Sequence, residues 1–408
     1  MKKTVLKNYA RLIATMGVNV QPGQEVYISA SCEQTDFTAM VVEAAYQAGA
    51  KRVTVDFADE RLTKYHVRYQ SPETLGALTE DQVARWQRYT EVLPCRIYLL
   101  SEDPDGLRGV DQEKYSAAQA QRLKVIKPYR DKIENRYQWC IAAVPGKAWA
   151  KKLFPELRVG RAVEKLWEAI LYTSRADGAD PAQAWQEHNR ELHERCAHLN
   201  SLGIRRLHYF GDNGTDLWVG MIPEAQFCGG SETSLQDIVF NPNIPSEECF
   251  ISPKRGEAEG IVYATKPLSY QGELIENFWI RFREGKAAEW GAEKNEALLG
   301  QLIGMDEGSA YLGECALVPD DSPISQSGLL FLNTLFDENA ACHLALGMGF
   351  ADTIRDFASL TLEQCRELGV NDSMVHEDFM IGYSGLNIDA ECADGQTIPI
   401  FRNGLWAF

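Results

Sequence analysis

The chain has 408 residues, long enough for two or three domains of ordinary size. Its 58 acidic against 41 basic residues give a formal net charge of −17. That field repels phosphate backbones and anionic lipid, so nucleic acid and membrane surfaces are poor candidate partners. With 45% hydrophobic and 24% charged residues, wholesale disorder is excluded as well.

The start, MKKTVLKNYARLIATMG, interrupts its apolar residues with Lys7, Asn8 and Arg11 and so reads as an amphipathic helix, not a secretory signal. No apolar run approaches the ~18 residues that span a bilayer. The ten cysteines are scattered with no CxxC pair, the usage of buried thiols in a reducing compartment. A cytoplasmic location is expected.

In chain order, a helix over 6–16 leads into an apolar strand at 26–29, a helix over 37–48 and a strand at 53–57 that alternates with period two. Strand, helix of about a dozen residues, strand is a βαβ unit, and it implies a parallel sheet covered by helices. Further strands are predicted at 95–100 and 138–143, and helices at 148–153 and 159–172. Neither GxGxxG nor GxxxxGK[ST] occurs, so this Rossmann-like pattern has no phosphate cradle and reads as structural. A helix over 182–203 carries His188, His193 and His198. Their spacing of five sweeps around the helix, so they are expected to face solvent. Beyond Gly203 the chain turns strand-rich, with a hairpin at 280–290 closed by Glu-Gly-Lys. The fold class expected is α/β followed by α+β. Residues 1–180 form a Rossmann-like, structural or cavity-forming domain, and 181–408 a mixed, strand-rich metal-binding domain.

Chemistry concentrates between 243 and 382. Glu248 stands just before the apolar CFIS, and Glu314 is the lone charge inside LGECALVP. A carboxylate in such a run is costly to bury unless it is paired or bound to a cation. His343 is the only ionisable residue of ACHLALG. His376 and Asp378, two apart in HEDFMIG, share one face of a strand while Glu377 faces away. Two imidazoles and three carboxylates suit zinc, cobalt or manganese, and their number points to two ions, not one.

The segments NIPSEECF, ATKPL, LGECALVP with DSPIS, NTLFDENAACHLALG, HEDFMIG and IPIFRNGLWAF resemble the thermophilic aminopeptidase family, M29. The resemblance runs in order from about residue 240 to the last residue. It implies an exopeptidase with two cocatalytic divalent ions that removes N-terminal residues from peptides, working as a homodimer. Carried over by position, its metal ligands fall on Glu248, Glu314, His343, His376 and Asp378. Glu338 also matches the family motif, as a partner of the substrate's amino group or of the ligands, and Glu314 and Glu338 are the candidate catalytic carboxylates. One departure stands out: where the family has a tyrosine seven residues past the histidine, this chain has Phe350. Tyr383 is a candidate replacement. A catalytically weak member, acting as a peptide- or metal-binding scaffold, is the alternative that Phe350 keeps open.

Overall fold

The structure, a computed structural model, describes residues 2–408. The chain gathers into two compact units. One takes its residues up to Asn189 together with Ser231–Ser246, the other Arg190–Gly230 with Glu247–Phe408.

The first unit is built on a parallel sheet. Strands β1 (Glu25–Ser31), β2 (Arg52–Ala58), β3 (Cys95–Leu100) and β4 (Trp139–Ala143) lie in the order β2-β1-β3-β4, and the short strand Asn243–Ile244 extends it beyond β4. Val26, Ile28, Ile97, Leu99, Cys140 and Ala142 are all buried in this sheet, whose crossovers are helical. Four helices of this unit, Glu60–Tyr69, Pro72–Gly76, Glu80–Val92 and Gln112–Ile133, had no counterpart in the sequence reading. The last contains Pro128 and buries only Ser116, Ala118 and Ile133, so neither breaker nor stripe rules reveal it.

His188 departs from expectation. It is buried, packs edge-on against Trp185 three residues earlier, and its Nε2 lies 2.6 Å from the Ser246 carbonyl oxygen. It shares the face of Trp185 and so turns inward, while His193 and His198 are exposed.

The second unit contains a large antiparallel sheet that includes Ile204–Phe210, Asp216–Met221, Pro253–Tyr263, Glu273–Arg283, Lys286–Lys294 and Asn387–Cys392. Its hairpin at 283–286 closes through Glu284 (φ 50°) and Gly285 (φ 78°), both left-handed as a tight turn requires. A smaller antiparallel sheet runs β5 (Cys249–Ile251), β6 (Leu312–Leu317), β7 (His343–Gly347), β8 (His376–Met380), in that order. Cys315, Leu344, Leu346 and Phe379 face the apolar core of this unit, and the other face of the same strands carries the polar residues described below.

Phe278 sits in that core with its ring centroid 5.9 Å from that of Phe379, directly behind β8. Phe278→Ala is expected to destabilise the protein by about 3–5 kcal/mol, read as a lowered urea midpoint. An unchanged midpoint would contradict this packing.

Candidate metal centre

Register decides which side chains meet. Across β6, β7 and β8, Glu314 pairs with Ala345 and Ala345 with Asp378, while Ala316 pairs with His343 and Gly347 with His376. Directly paired residues lie on the same face of a sheet, so Glu314, His343, His376 and Asp378 all project from one side. The central positions between them are Ala345 and Gly347, whose small or missing side chains leave room above the strand. Gly347 is also required by its backbone. Its φ is +105°, and a Cβ there would stand 2.1 Å from the Val375 carbonyl oxygen. Glu248 reaches the group from the turn just before β5.

The donors converge. His343 Nε2 lies 3.2 Å from Glu248 Oε2 and 4.0 Å from Asp378 Oδ1. His376 Nε2 lies 3.0 Å from Glu314 Oε2 and 3.3 Å from Asp378 Oδ1. Glu248, Glu314 and His343 form one group with donor atoms within 4.8 Å of each other, and Glu314, His376 and Asp378 form a second. Glu314 belongs to both. All five residues expected from the sequence are therefore brought together.

The other ring nitrogens fix the tautomers. His343 Nδ1 is 3.1 Å from the Ala341 carbonyl and His376 Nδ1 is 2.7 Å from that of Met348. A carbonyl only accepts, so each Nδ1 carries a proton, and in the neutral ring Nε2 presents a lone pair toward the carboxylates. Facing lone pairs at about 3 Å need a cation or a further proton between them. Asp378 Oδ1 makes the same point: it is buried and accepts no hydrogen bond. The histidine–carbonyl pairs are the outer support that metal-binding imidazoles usually have. The donor set fits a divalent ion.

Charge in this space is strongly perturbed. Burial pushes Glu314 up to about 7, with Asp378 and Glu248 adding to the rise and His376 opposing it. Burial alone would lower His343, but Glu248, Asp378 and Glu314 outweigh it and lift the ring to about 9. His376 is likewise held well above its ordinary range by Asp378 and Glu314, against the effect of burial. Asp378 is lowered despite its burial, because His376 and His343 favour its charged form. Glu338, buried beside them, is driven well above the usual carboxylate range by burial first and then by Asp378, Glu248 and Glu314. Among the described residues no lysine or arginine pairs with any of these carboxylates.

Phe350 stands at the edge of the group, its ring centroid 4.7 Å from that of His376 and edge-on to Phe250 at 5.6 Å. Its backbone is fixed by Ser252 Oγ, which accepts from the Phe350 N–H at 2.7 Å. Tyr383 is engaged elsewhere. Its hydroxyl donates to Asp212 Oδ1 at 2.5 Å and accepts from the Asn213 N–H at 3.1 Å. Sequence reading missed the role of Ala345 and Gly347 and the carbonyls of Ala341 and Met348. The alternation of small residues in HLALG was the available signal for the first pair; nothing local signalled the carbonyls.

Known proteins match this chain over nearly its whole length. The aminopeptidase AmpS of Bacillus subtilis (strain 168) is 40% identical over 404 residues, 99% of this chain and 98% of its own. Aminopeptidase 2 of Geobacillus stearothermophilus is 41% identical over the same extent. The solved structure of wild-type AmpT from Thermus thermophilus superposes with a TM-score of 0.89 at 36% identity, covering all of both chains. The family model described as thermophilic metalloprotease (M29) matches residues 2–406. The chain belongs to the M29 family of metalloproteases.

Proposed function

We propose that this protein is an aminopeptidase in which Glu248, Glu314, His343, His376 and Asp378 hold two divalent ions, zinc, cobalt or manganese, with Glu314 contributing to both. The observation that carries this reading is the pair of overlapping donor groups, with Nε2 lone pairs and the unpartnered Asp378 Oδ1 turned to a common space. Family membership supplies the metal dependence. Bound ions supply positive charge that acidifies water and polarises a peptide carbonyl.

The protein's own groups do the rest. Glu338, buried beside Asp378 and held well above the usual carboxylate range by that burial, becomes a proton carrier once positive charge enters the space. Glu314 is the second candidate for that role. The surplus of carboxylates recognises the substrate's α-ammonium, which restricts cleavage to free N-termini. Peptides with a free N-terminus are accordingly the substrates, and neither nucleic acid nor membrane fits the net charge of −17. A homodimer working in the cytoplasm completes the reading. Among the described residues no helix is long and apolar enough to cross a membrane.

Proton linkage gives a first test. Without ions the imidazoles hold protons up to about pH 9 in the case of His343, and these must leave when a cation binds. Affinity for zinc should therefore rise with pH through the neutral range. Calorimetry in buffers of differing ionisation enthalpy should register proton release. PH-independent affinity with no release would contradict the assignment.

The activity itself is tested with paired peptides that differ only in N-terminal acetylation. The free amines should be cleaved one residue at a time and the acetylated forms resist, because blocking leaves buried carboxylates unpartnered. Equal cleavage of both would refute the exopeptidase reading.

Phe350 sets the third expectation. A phenol beside His376 would offer a donor to negative charge developing on the substrate, and one such donor is worth ~10²–10³ in turnover. Phe350→Tyr should raise kcat by roughly ten-fold or more with little change in KM, since the gain is confined to the transition state. Unchanged kcat would show that no phenol is needed here, and normal metal content with no turnover in either form would favour the scaffold alternative.

A further inference from the structure

Asn339 follows Glu338 at the end of the short helix Thr334–Glu338 and is fully buried. Every polar atom of its side chain is used. Oδ1 accepts from the Glu247 N–H at 2.7 Å, and Nδ2 donates to the Leu335 carbonyl at 2.9 Å and to Glu338 Oε1 at 3.3 Å. Its own carbonyl accepts from Ser322 Oγ at 3.2 Å. One planar amide thus joins the helix end, the backbone next to Glu248, and the carboxyl of Glu338, across 92 positions of sequence.

We propose that Asn339 is a positioning residue that holds the Glu338 carboxyl in its working orientation while locking the Glu247–Glu248 segment to it. The inference rests on the reading of Glu338 as the proton carrier. Left to itself, the Glu338 carboxyl is free to turn about its terminal side-chain bonds. The Nδ2–H donor on Oε1 opposes that rotation. Asparagine is suited to this because one rigid group supplies two donors and an acceptor. Asp would keep the acceptor for Glu247 and lose both donors. A plain helix-capping role would use only the Leu335 contact.

The test is a double-mutant cycle of Asn339→Asp and Glu338→Gln at pH 8, with saturating zinc and an aminoacyl chromogenic substrate, alongside metal content and melting temperature. Asn339→Asp should lower kcat about 10–100-fold, the usual cost of a lost supporting contact, with KM within about two-fold and metal content unchanged. In the Glu338→Gln background the same substitution should cost less than about two-fold, because the carboxyl it orients is gone. A purely structural role would instead give the same factor in both backgrounds, and that outcome overturns the inference. Full kcat in Asn339→Asp beside a crippled Glu338→Gln overturns it alone, whereas full kcat in Glu338→Gln overturns the reading of Glu338 beneath it. If Asn339→Asp does not fold, Asn339→Ala in the same cycle reads the same non-additivity.

Discussion

Negative charge without a resident counter-cation is the constraint on which this molecule turns. Glu248, Glu314, Asp378 and Glu338 are each nine-tenths or more buried, and no lysine or arginine among the described residues neutralises them. Burying even one unpaired carboxylate costs several kcal/mol. Protons can relieve the crowding: burial, with Asp378 and Glu248 adding to it, pushes Glu314 up to about 7, and the carboxylates outweigh burial to lift His343 to about 9. Divalent ions relieve it better, because each replaces more than one proton and satisfies the Nε2 lone pairs as well as Asp378 Oδ1. Cations bound there would therefore stabilise this region.

The small sheet converts that constraint into a shape. Pairing puts Glu314, Ala345 and Asp378 in one row and leaves Gly347 opposite His376, so the middle of the strand between these donors carries only small residues on this face. The reverse face packs Leu344, Leu346 and Phe379 into the core, which fixes the strands and hence the donors. A one-residue slip would exchange the two faces. Rigidity of the centre thus comes from ordinary apolar packing behind it, and from backbone carbonyls that hold each imidazole by its second nitrogen. Phe350 completes the wall with an aromatic ring that lacks a hydroxyl, set against His376 and Phe250.

Much of this was legible in the sequence, for identifiable reasons. A lone charge in an uncharged strand, as at Glu314 and His343, is informative because burial penalises it. The i, i+2 spacing of His376 and Asp378 gives their common face directly. βαβ alternation was readable across β1 to β4, and buried positions recur with clear period in β1 and β3, whereas β2 buries none of its residues fully. What stayed hidden depends on partners distant in sequence. His188 turns inward through its contact with Ser246, and the helix with Pro128 has no stripe to betray it. Asn339 looks like a loop residue until the Glu247 N–H is seen against it.

The central claim concerns the number and place of the ions. Crystals grown with zinc and measured on both sides of its absorption edge should give two anomalous peaks, both among Glu248, Glu314, His343, His376 and Asp378, with Glu314 near each. A single peak, or peaks away from these five residues in an enzyme that still cleaves peptides, would contradict it.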